Sequence, residues 1–442
     1  MMSDNIYDLI IVGAGITGSA LFYISSRYSD LKNVLLLEKY SDISTLNSSS
    51  RSNSQTLHFG DVETNYSYEK AKDVKQSAEY ILNYTGIKNG RYNKHIIQKC
   101  QKMVLGVGDM ESQQLENTYA SKMHTLFPGL KKLRSKELER IEPNLVKGRQ
   151  KDEVLLALLS NNGYMVDFGA LSKSFANNGK KKKDYKIKFN SKVKKISREN
   201  DNYVLETNDG VYKARFVVFA SGIYSLYFAK SMGYDKNISI LPVGGGYYYS
   251  KKVLNGKVYR VQQGNIPFAA IHADPDIKDP NVTRYGPTVI LGPLLEKGHL
   301  DTAFDNLKIF DLDIDTLISL KNILFNRDIY RIMSKNAIYP IPIFGKYNFL
   351  KNEAQKIVPK LKYSDLWTVK NTGGIRPQII NEKTHSLILG EAKLKEEHLI
   401  FNITPSPGAS SCIGSALEDI KYITSQLDRN FNYALFKKEL GS

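Results

Sequence analysis

Arg376 is the first candidate for binding a substrate. It lies in the stretch GGIRPQ, after two glycines and before a proline that restricts the backbone, so its side chain projects from a defined turn. A guanidinium is always charged and presents parallel N–H donors that match the two oxygens of a carboxylate. The sequence therefore predicts that Arg376 binds a carboxylate, with a structural ion pair as the alternative.

Two histidines are candidates for a general base. His272, in AAIHAD, lies on a predicted strand, and Asp274 stands where it could orient the imidazole. A base with an ordinary pKa near 6.5 is suited to accept a hydroxyl proton at neutral pH while a neighbouring C–H bond is oxidised. His58, in QTLHFG, is the competing candidate. For either histidine, the structural alternative is a buried position in the core with its hydrogen bonds satisfied.

The N-terminal segment predicts the element that positions this chemistry. Apolar residues 9–12 form a strand, a G-x-G-x-x-G turn and a helix follow, and a second strand over 34–37 ends at Glu38. A carboxylate at that position accepts hydrogen bonds from ribose hydroxyls and repels a 2′-phosphate, which disfavours NADP. The segment predicts a dinucleotide-binding fold and, at this point, leaves FAD and NAD open.

The three glycines of the turn have separate physical roles. Gly13 permits the tight turn, Gly15 lets backbone N–H groups approach a phosphate, and Gly18 allows the helix to pack closely on the strand. The positive end of the helix then faces the pyrophosphate.

A second fingerprint is missing from the middle of the sequence, and so is a redox C-x4-C. A pyridine-nucleotide disulfide reductase would carry both. Their absence favours one bound dinucleotide, FAD, with electrons supplied by a substrate rather than by NADH.

Three further segments are predicted to contact the cofactor. Polar residues of the loop after the second strand would reach the pyrophosphate and ring, and a strand over 216–220 ends in small residues. The stretch TPSPGASS at 404–411 precedes a helix whose N–H groups would stabilise reduced flavin. The full predicted cofactor set is Gly13, Ala14, Gly15, Ile16, Thr17, Gly18, Glu38, Lys39, Ser50, Asn53, Ser54, Val193, Ala220, Ser221, Gly222, Gly374, Pro407, Gly408, Ala409 and Ser410.

The order of predicted elements indicates two domains. An α/β fold is expected, with a two-dinucleotide-binding, glutathione-reductase-like FAD domain built on a Rossmann-type parallel sheet. We assign this discontinuous domain to 1–90, 163–240 and 365–442, and a substrate domain of antiparallel sheet and helices to 91–162 and 241–364. Strand signals over 185–220 predict a β-meander, and those over 241–293 predict one antiparallel sheet.

Composition narrows the functional class only partly. The chain has 442 residues and two cysteines, which provide neither a disulfide framework nor a C-x-x-C, so a reducing compartment is expected. No apolar run reaches the length of a membrane span, and the fingerprint starts too early for a signal or transit peptide, so a soluble or peripheral protein is expected. A formal charge of +17 suits nucleic acid, anionic lipid or acidic substrates alike.

Ordered blocks along nearly the whole chain carry a family resemblance. They include SSSRSNSQTLHFGDVETNYS, VDFGALSKSF, LPVGGGYYY, PFAAIHADPD, TRYGPT, GGIRPQI and TPSPGASS. The sequence resembles the shorter branch of the FAD-dependent malate:quinone oxidoreductases, in the D-amino-acid-oxidase-like flavoprotein superfamily.

The resemblance implies a function and site roles. It implies FAD, (S)-malate or a similar 2-hydroxy dicarboxylate as substrate, hydride transfer to flavin, and a membrane quinone as acceptor. It also implies that Arg376 holds the α-carboxylate and raises the expectation of a catalytic role for His272. Arg284, before Tyr-Gly-Pro, is the candidate for the second carboxylate, with a surface arginine as the alternative.

Other functions remain to be distinguished. A 2-hydroxyglutarate dehydrogenase or an amino-acid oxidase of the same superfamily would use the same fold, cofactor and arginine. A nucleic-acid-binding flavoprotein would show a basic, aromatic stripe, whereas the lysines here are scattered and the cluster at 180–183 contains no aromatic residue. No nucleic-acid partner and no metal are therefore expected.

A quinone acceptor places the enzyme at a membrane surface. We expect peripheral binding to anionic lipid on the cytoplasmic face, or at the inner mitochondrial membrane in a eukaryotic source, with basic residues supplying the attraction. Residues 345–363 mix five lysines with Tyr347, Phe349, Leu350 and Ile357, as an interfacial segment would. An ordinary amphipathic surface helix is the alternative for this segment.

Overall fold

The computed structural model describes residues 2–234, 237–262, 270–309, 314–388, 392–403 and 408–441. Two large β-sheets with helices packed against them, a four-stranded sheet and a two-stranded ribbon make up the architecture of these residues. This mixed α/β architecture agrees with the predicted fold class.

The nucleotide-binding sheet is built around the strand Met2–Val12. This strand pairs in parallel with both Val211–Phe219 and Val34–Leu37, and residues 9–12 are buried from both sides. Such an apolar run fits a parallel strand covered by helices on both faces. The order across the sheet is Ala392–Glu396, Leu399–Ile403, Val211–Phe219, Met2–Val12, Val34–Leu37 and Tyr185–Lys188.

Several helices pack against this sheet. Ile16–Tyr28 follows the glycine turn and packs against Phe168–Gly179 and Cys412–Gln426. The Asp167 side chain accepts a hydrogen bond of 3.0 Å from the backbone N–H of Ala170 and is the N-cap of Phe168–Gly179. Ser67 caps the helix Tyr68–Thr85 in the same way.

The predicted meander is shorter in the structure. Only Val193–Glu199, Asn202–Thr207 and Val211–Phe219 pair consecutively as antiparallel strands. The first predicted member, Tyr185–Lys188, instead extends the parallel sheet beside Val34–Leu37. An alternating pattern within a strand does not determine which strand it pairs with. Here the strand follows the helix Phe168–Gly179 and joins the edge of the parallel sheet.

The single antiparallel sheet predicted over 241–293 is divided between two sheets. The chain leaves the strand Ile238–Gly244 and enters the next strand, Tyr248–Lys251, in a different sheet. The four-stranded sheet has the order Ile290–Leu291, Ile238–Gly244, Ile375–Asn381 and Ser386–Ile388. The second eight-stranded sheet has the order Trp367–Thr368, Tyr248–Lys251, Val282–Gly286, His272–Pro275, Lys257–Arg260, Lys102–Val107, Leu155–Ser160 and Lys131–Arg134.

The remaining elements surround these sheets. The strands Ile97–Lys99 and Tyr164–Val166 form a small ribbon. The other helices are Asp109–Thr118, His124–Leu126, Ser135–Ile141, Pro143–Val146, Tyr224–Ser231, Thr302–Ile309, Ile314–Leu324, Arg327–Ala337, Phe344–Phe349, Gln355–Ile357 and Tyr433–Leu440. In the described residues, no helix combines the length and apolar character needed to cross a bilayer.

The division into two domains stays a prediction. The strand Ile375–Asn381 lies in a segment that we assigned to the FAD domain. It pairs with Ile238–Gly244, a strand that crosses the predicted boundary between the two domains at residue 240. The small sheet they form therefore adjoins both predicted domains.

Candidate active site

The glycine turn is as tight as the fingerprint predicts. Gly13 has a φ of 105°, and a Cβ atom built on it would lie 2.7 Å from the carbonyl oxygen of Ala220. A Cβ on Gly18 would lie 2.0 Å from the carbonyl oxygen of Gly13, so the helix Ile16–Tyr28 approaches the turn too closely for any side chain there. The turn thus brings a helix N-terminus to the carboxyl edge of the sheet, where an anion is favoured.

Glu38 stands at the end of the second strand. Its carboxylate accepts hydrogen bonds from the backbone N–H groups of Ala14, at 2.8 Å, and Tyr40, at 3.0 Å. Burial raises the pKa of the Glu38 carboxyl above its ordinary value. The side chain links the fingerprint to the second strand at the predicted ribose position.

A continuous cavity of about 470 Å³ runs along this edge of the sheet. It extends from Glu38, past the glycine turn, to the start of the strand Ile375–Asn381. The predicted residues that line it are Gly13, Gly15, Ile16, Thr17, Glu38, Lys39, Asn53, Ser54, His58, Val193, Ala220, Ser221, Gly222, Gly374, Arg376, Gly408, Ala409 and Ser410.

Other predicted residues lie elsewhere. Ala14 and Gly18 support the turn from behind, and Ser50 is buried with its carbonyl oxygen accepting a hydrogen bond from Gln55. His272 and Arg284, discussed below, are also outside the cavity wall formed by the described residues. Pro407 lies outside the described residues.

Ser48 and Asn47 are two of the wall residues that sequence reasoning did not identify. The Ser48 hydroxyl accepts a hydrogen bond of 3.0 Å from the backbone N–H of Ile16, at the start of the nucleotide helix. Asn47 donates to the carbonyl oxygen of Ile375 at 2.7 Å and accepts from its N–H at 3.1 Å. Both belong to a serine- and asparagine-rich loop in which no spacing rule distinguishes one polar residue from the next.

Lys39 is held by an acidic and aromatic cluster at the Glu38 end. Its ammonium forms an ion pair with Glu296 and lies 4.5 Å from the centre of the Tyr224 ring. The Tyr40 hydroxyl donates to the same Glu296 carboxylate at 2.6 Å. The cluster therefore connects Glu296, from the second half of the chain, to the part of the cavity beside Glu38.

Arg376 lines the cavity, and a tight backbone contact determines the turn before it. It is half-buried and pairs with Val243 across the small sheet. Gly373 has a φ of 87°, and a Cβ there would lie 1.8 Å from the carbonyl oxygen of Gly245. Because no side chain fits at this crossing, the GG pair before Arg376 is a steric requirement of the turn.

His58 also lines the cavity. Its Nδ1 atom lies 2.6 Å from Oε1 of Glu63, and its backbone N–H donates to the Ser410 hydroxyl at 2.9 Å. Burial opposes ionisation of Glu63, but the charges of Lys102 and His58 outweigh it and lower the pKa of this carboxyl to about 2. The pair is therefore an imidazole oriented by an ionised carboxylate.

His272 forms a second histidine–carboxylate pair, deeper in the protein. Its Nδ1 lies 2.6 Å from Oδ2 of Asp274, although the atoms are not aligned for a hydrogen bond. Burial lowers the pKa of His272, which favours the neutral imidazole. Asp274 is also buried, yet His272 when protonated, together with the cations Lys257 and Arg284, lowers its pKa to about 2. The rings of Tyr247 and Tyr259 flank His272, at centroid distances of 6.3 and 4.8 Å.

Arg284 is fully buried behind the cavity. Its guanidinium lies 3.8 Å from Asp274, 3.7 Å from Asp276 and 3.3 Å from the carbonyl oxygen of Asn53. Through these contacts, Arg284 supports the Asp274 carboxylate and the polar loop from inside the protein. They do not present the guanidinium to the cavity, as binding of a second substrate carboxylate would require.

The fold and site define a flavoprotein oxidoreductase. Residues 8–418 match the family described as FAD dependent oxidoreductase, and the chain belongs to it. The cavity fits FAD, since a glycine turn without room for side chains faces the pyrophosphate position and an acidic residue stands at the ribose. FAD is the cofactor of this family.

Individual relatives narrow the assignment. The chain is 39% identical to a probable malate:quinone oxidoreductase of Campylobacter jejuni, over 99% of this chain and 100% of that one. It is 37% identical to a malate:quinone oxidoreductase of Helicobacter pylori, over 98% of each. Within the FAD dependent oxidoreductases, the chain therefore belongs to the malate:quinone oxidoreductases, and the resemblance noted in the sequence is confirmed.

A solved structure shares the fold. L-alpha-glycerophosphate oxidase from Mycoplasma pneumoniae, with FAD bound, aligns over 95% of both chains with a TM-score of 0.66 and 19% identity.

Proposed function

We propose that this protein oxidises (S)-malate to oxaloacetate and passes the electrons to a membrane quinone. The observation that carries the proposal is that Arg376 and His58, the latter paired with Glu63, both line the cofactor cavity. A carboxylate-binding cation and an oriented base are the two groups that oxidation of a 2-hydroxy acid requires from the protein. The names of the relatives specify malate and quinone.

The cofactor would lie along the cavity. Glu38 would hold the ribose, and the turn at Gly13 and Gly15 the pyrophosphate, while Gly408 and Ser410 would lie against the ring. When bound, FAD supplies the acceptor for the hydride on C2 of malate and the route by which two electrons reach the quinone.

The chain's own residues would bind and deprotonate the substrate. Arg376 would hold the α-carboxylate through two parallel N–H donors. His58 would accept the proton of the C2 hydroxyl as the hydride leaves, and Glu63 would keep its imidazole oriented and stabilise the resulting positive charge. The two protons released and the two electrons are those needed to convert quinone into quinol.

This assignment reverses the order in which the sequence ranked the histidines. His58 lines the cavity, whereas His272 is 2% exposed and flanked by Tyr247 and Tyr259. We therefore assign His272, Asp274 and Arg284 to the support of the site. His272 as the base is the alternative that paired variants distinguish.

The proposed acceptor places the protein at a membrane. We propose peripheral association with the cytoplasmic face of an anionic membrane, through the excess of basic residues.

The test is turnover with defined acceptors. Purified enzyme should form oxaloacetate from (S)-malate while reducing a soluble ubiquinone analogue, with oxygen consumption far slower than quinone reduction. Faster turnover of 2-hydroxyglutarate or of an amino acid would assign the substrate to another member of the superfamily. In the same assay, His58→Asn should lower the rate far more than His272→Asn, and the opposite order would return the base to His272.

A further inference from the structure

The helix Arg327–Ala337 has a buried face and a basic, aromatic face. Ile329 packs with the small sheet in a cluster that includes Val243 and Ile380. On the opposite side, at spacings of three and four residues, Arg327, Tyr330 and Arg331 are exposed, and Tyr330 exposes 62% of its surface. The outer face thus combines cations with an amphipathic ring.

The chain continues from this helix into a turn that holds large apolar side chains in solvent. Ile343 and Phe344 are 71% and 69% exposed. Ile343 has φ 65° and ψ −63°, and the N–H of Phe344 donates to the carbonyl oxygen of Pro342 at 2.7 Å, which makes a γ-turn. A β-branched residue is strained at positive φ, and strain of this kind concentrates at binding sites.

The turn is anchored firmly to the body of the protein. A Cβ on Gly345 would lie 2.2 Å from the carbonyl oxygen of Tyr339, and the buried Tyr339 accepts a hydrogen bond at that oxygen from the Tyr248 hydroxyl at 3.0 Å. Glu353 joins the turn to the helix, because it pairs with Lys335 and accepts from the Tyr339 hydroxyl. Helix and turn therefore form one preformed surface.

The charge around this surface is strongly positive. Residues 321–363 contain nine lysines and arginines and two acidic residues, of which Glu353 is buried and paired. Tyr347, 52% exposed, and Lys346, with its ammonium 4.1 Å from the centre of the Tyr363 ring, follow the turn. Basic residues, tyrosines and a protruding apolar tip are the combination that binds the interface of an anionic bilayer.

We propose that this surface is the membrane-docking face of the protein, with Ile343 and Phe344 inserted among the lipids and the arginines at the anionic headgroups. The docking face consists of Arg327, Tyr330, Arg331, Ile343, Phe344 and Tyr347. The proposal rests on the proposed function, in which the electron acceptor lies in the bilayer.

This assignment moves the contact away from most of the segment predicted from the sequence. Phe349, Leu350 and Ile357, which were expected at the interface, are buried in the core of the second large sheet. Tyr347 is the one apolar residue of that prediction that is exposed in the structure.

The buried side of the helix Arg327–Ala337 contacts a segment beside Arg376. Asn336, at the end of the helix, accepts a hydrogen bond of 2.8 Å from the N–H of Val289. Val289 and Arg376 line one small cavity beside the active site. Docking through this face would therefore bring the bilayer to the side of the protein on which Arg376 lies.

The test uses FAD-loaded enzyme and lipid vesicles. Wild type should co-sediment with mixed phosphatidylglycerol–phosphatidylcholine vesicles and bind pure phosphatidylcholine weakly. The double variant Ile343→Ser/Phe344→Ser and the double variant Arg327→Glu/Arg331→Glu should each weaken vesicle binding by about tenfold or more. Lys180→Glu/Lys183→Glu makes the same change in net charge at another exposed site and should bind like wild type.

Activity separates this proposal from the proposed function. With malate and a soluble quinone, the docking variants should turn over like wild type, whereas with a long-chain quinone embedded in vesicles they should be slow. Equal vesicle binding by wild type and docking variants would overturn the proposal, and so would equal losses in the Lys180/Lys183 control. A wild type that ignores vesicles but self-associates through this face would overturn it too, while malate turnover with the soluble quinone would still support the function.

Discussion

Glu63→Gln tests whether the carboxylate beside His58 takes part in catalysis. Its Oε1 lies 2.6 Å from Nδ1 of His58, and its pKa of about 2 keeps it charged at neutral pH. Two unit charges about 4 Å apart interact by about 4 kcal/mol at an effective dielectric constant near 20. Lys102 interacts with the same carboxylate and offsets part of this energy. We therefore expect about 2–4 kcal/mol less stabilisation of the imidazolium and flavin reduction slowed by about 30- to 10³-fold.

The assay is anaerobic stopped-flow reduction of bound FAD by malate, with FAD content and melting temperature measured beside it. The Gln variant should keep its fold, because Lys102 retains the ion pair with Asp61 at 2.6 Å. If Glu63 acts through His58, the double variant Glu63→Gln/His58→Asn should be no slower than His58→Asn alone. An unchanged reduction rate in Glu63→Gln, or losses that add fully in the double variant, would refute the role given to this pair.

Four other outcomes are expected. Arg376→Lys should raise KM for malate and slow flavin reduction while FAD stays bound, because an ammonium cannot supply two parallel donors; unaltered kinetics would place the carboxylate site elsewhere. Gly13→Ala should lose FAD, measured by absorbance after gel filtration, since its Cβ would lie 2.7 Å from the carbonyl oxygen of Ala220. Lys102→Met should lower the free energy of unfolding by about 3–5 kcal/mol by leaving Asp61 buried and unpaired, with partial recovery in Lys102→Met/Asp61→Asn. The folded-state pKa values of Glu63 and Asp274, about 2, lie below their unfolded values of about 4, so their contribution to stability should be full above pH of about 4 and lost as the pH falls toward 2, as urea midpoints would show.

The nucleotide-binding half of the fold could be predicted because its signals are local. The fingerprint follows from neighbours within a few residues along the chain, and Glu38 follows from its place at the end of the next strand; the structure has both. Steric rules for glycine and the orphan N–H groups of a helix start act over the same short range.

The second half could not be predicted to the same degree, because long-range pairing determines it. The strands that end at Gly244 and begin at Tyr248 belong to different sheets. No local sequence pattern indicates which sheet a strand joins. Lysine is rarely buried in proteins, yet Lys102 and Lys257 are fully buried beside the carboxylates of Asp61 and Asp274.

The site shows the same limit. Arg376 lines the cavity, and the glycine pair before it is visible in the sequence, but the steric reason for that pair is a crossing with the distant Gly245. Arg284 is buried, and the His58–Glu63 pair forms across a bend whose spacing matches no regular element. Which histidine reaches the cavity is therefore a tertiary property that the sequence left open.

The most direct test of the central claim is a single-turnover experiment without oxygen or quinone. Purified yellow enzyme mixed with one equivalent of (S)-malate should lose its flavin absorbance and form oxaloacetate in proportion to the FAD reduced, with 2-hydroxyglutarate, lactate and amino acids reacting far more slowly. Subsequent addition of a quinone should restore the colour. Flavin that stays oxidised with malate but is bleached by one of the other substrates would contradict the account.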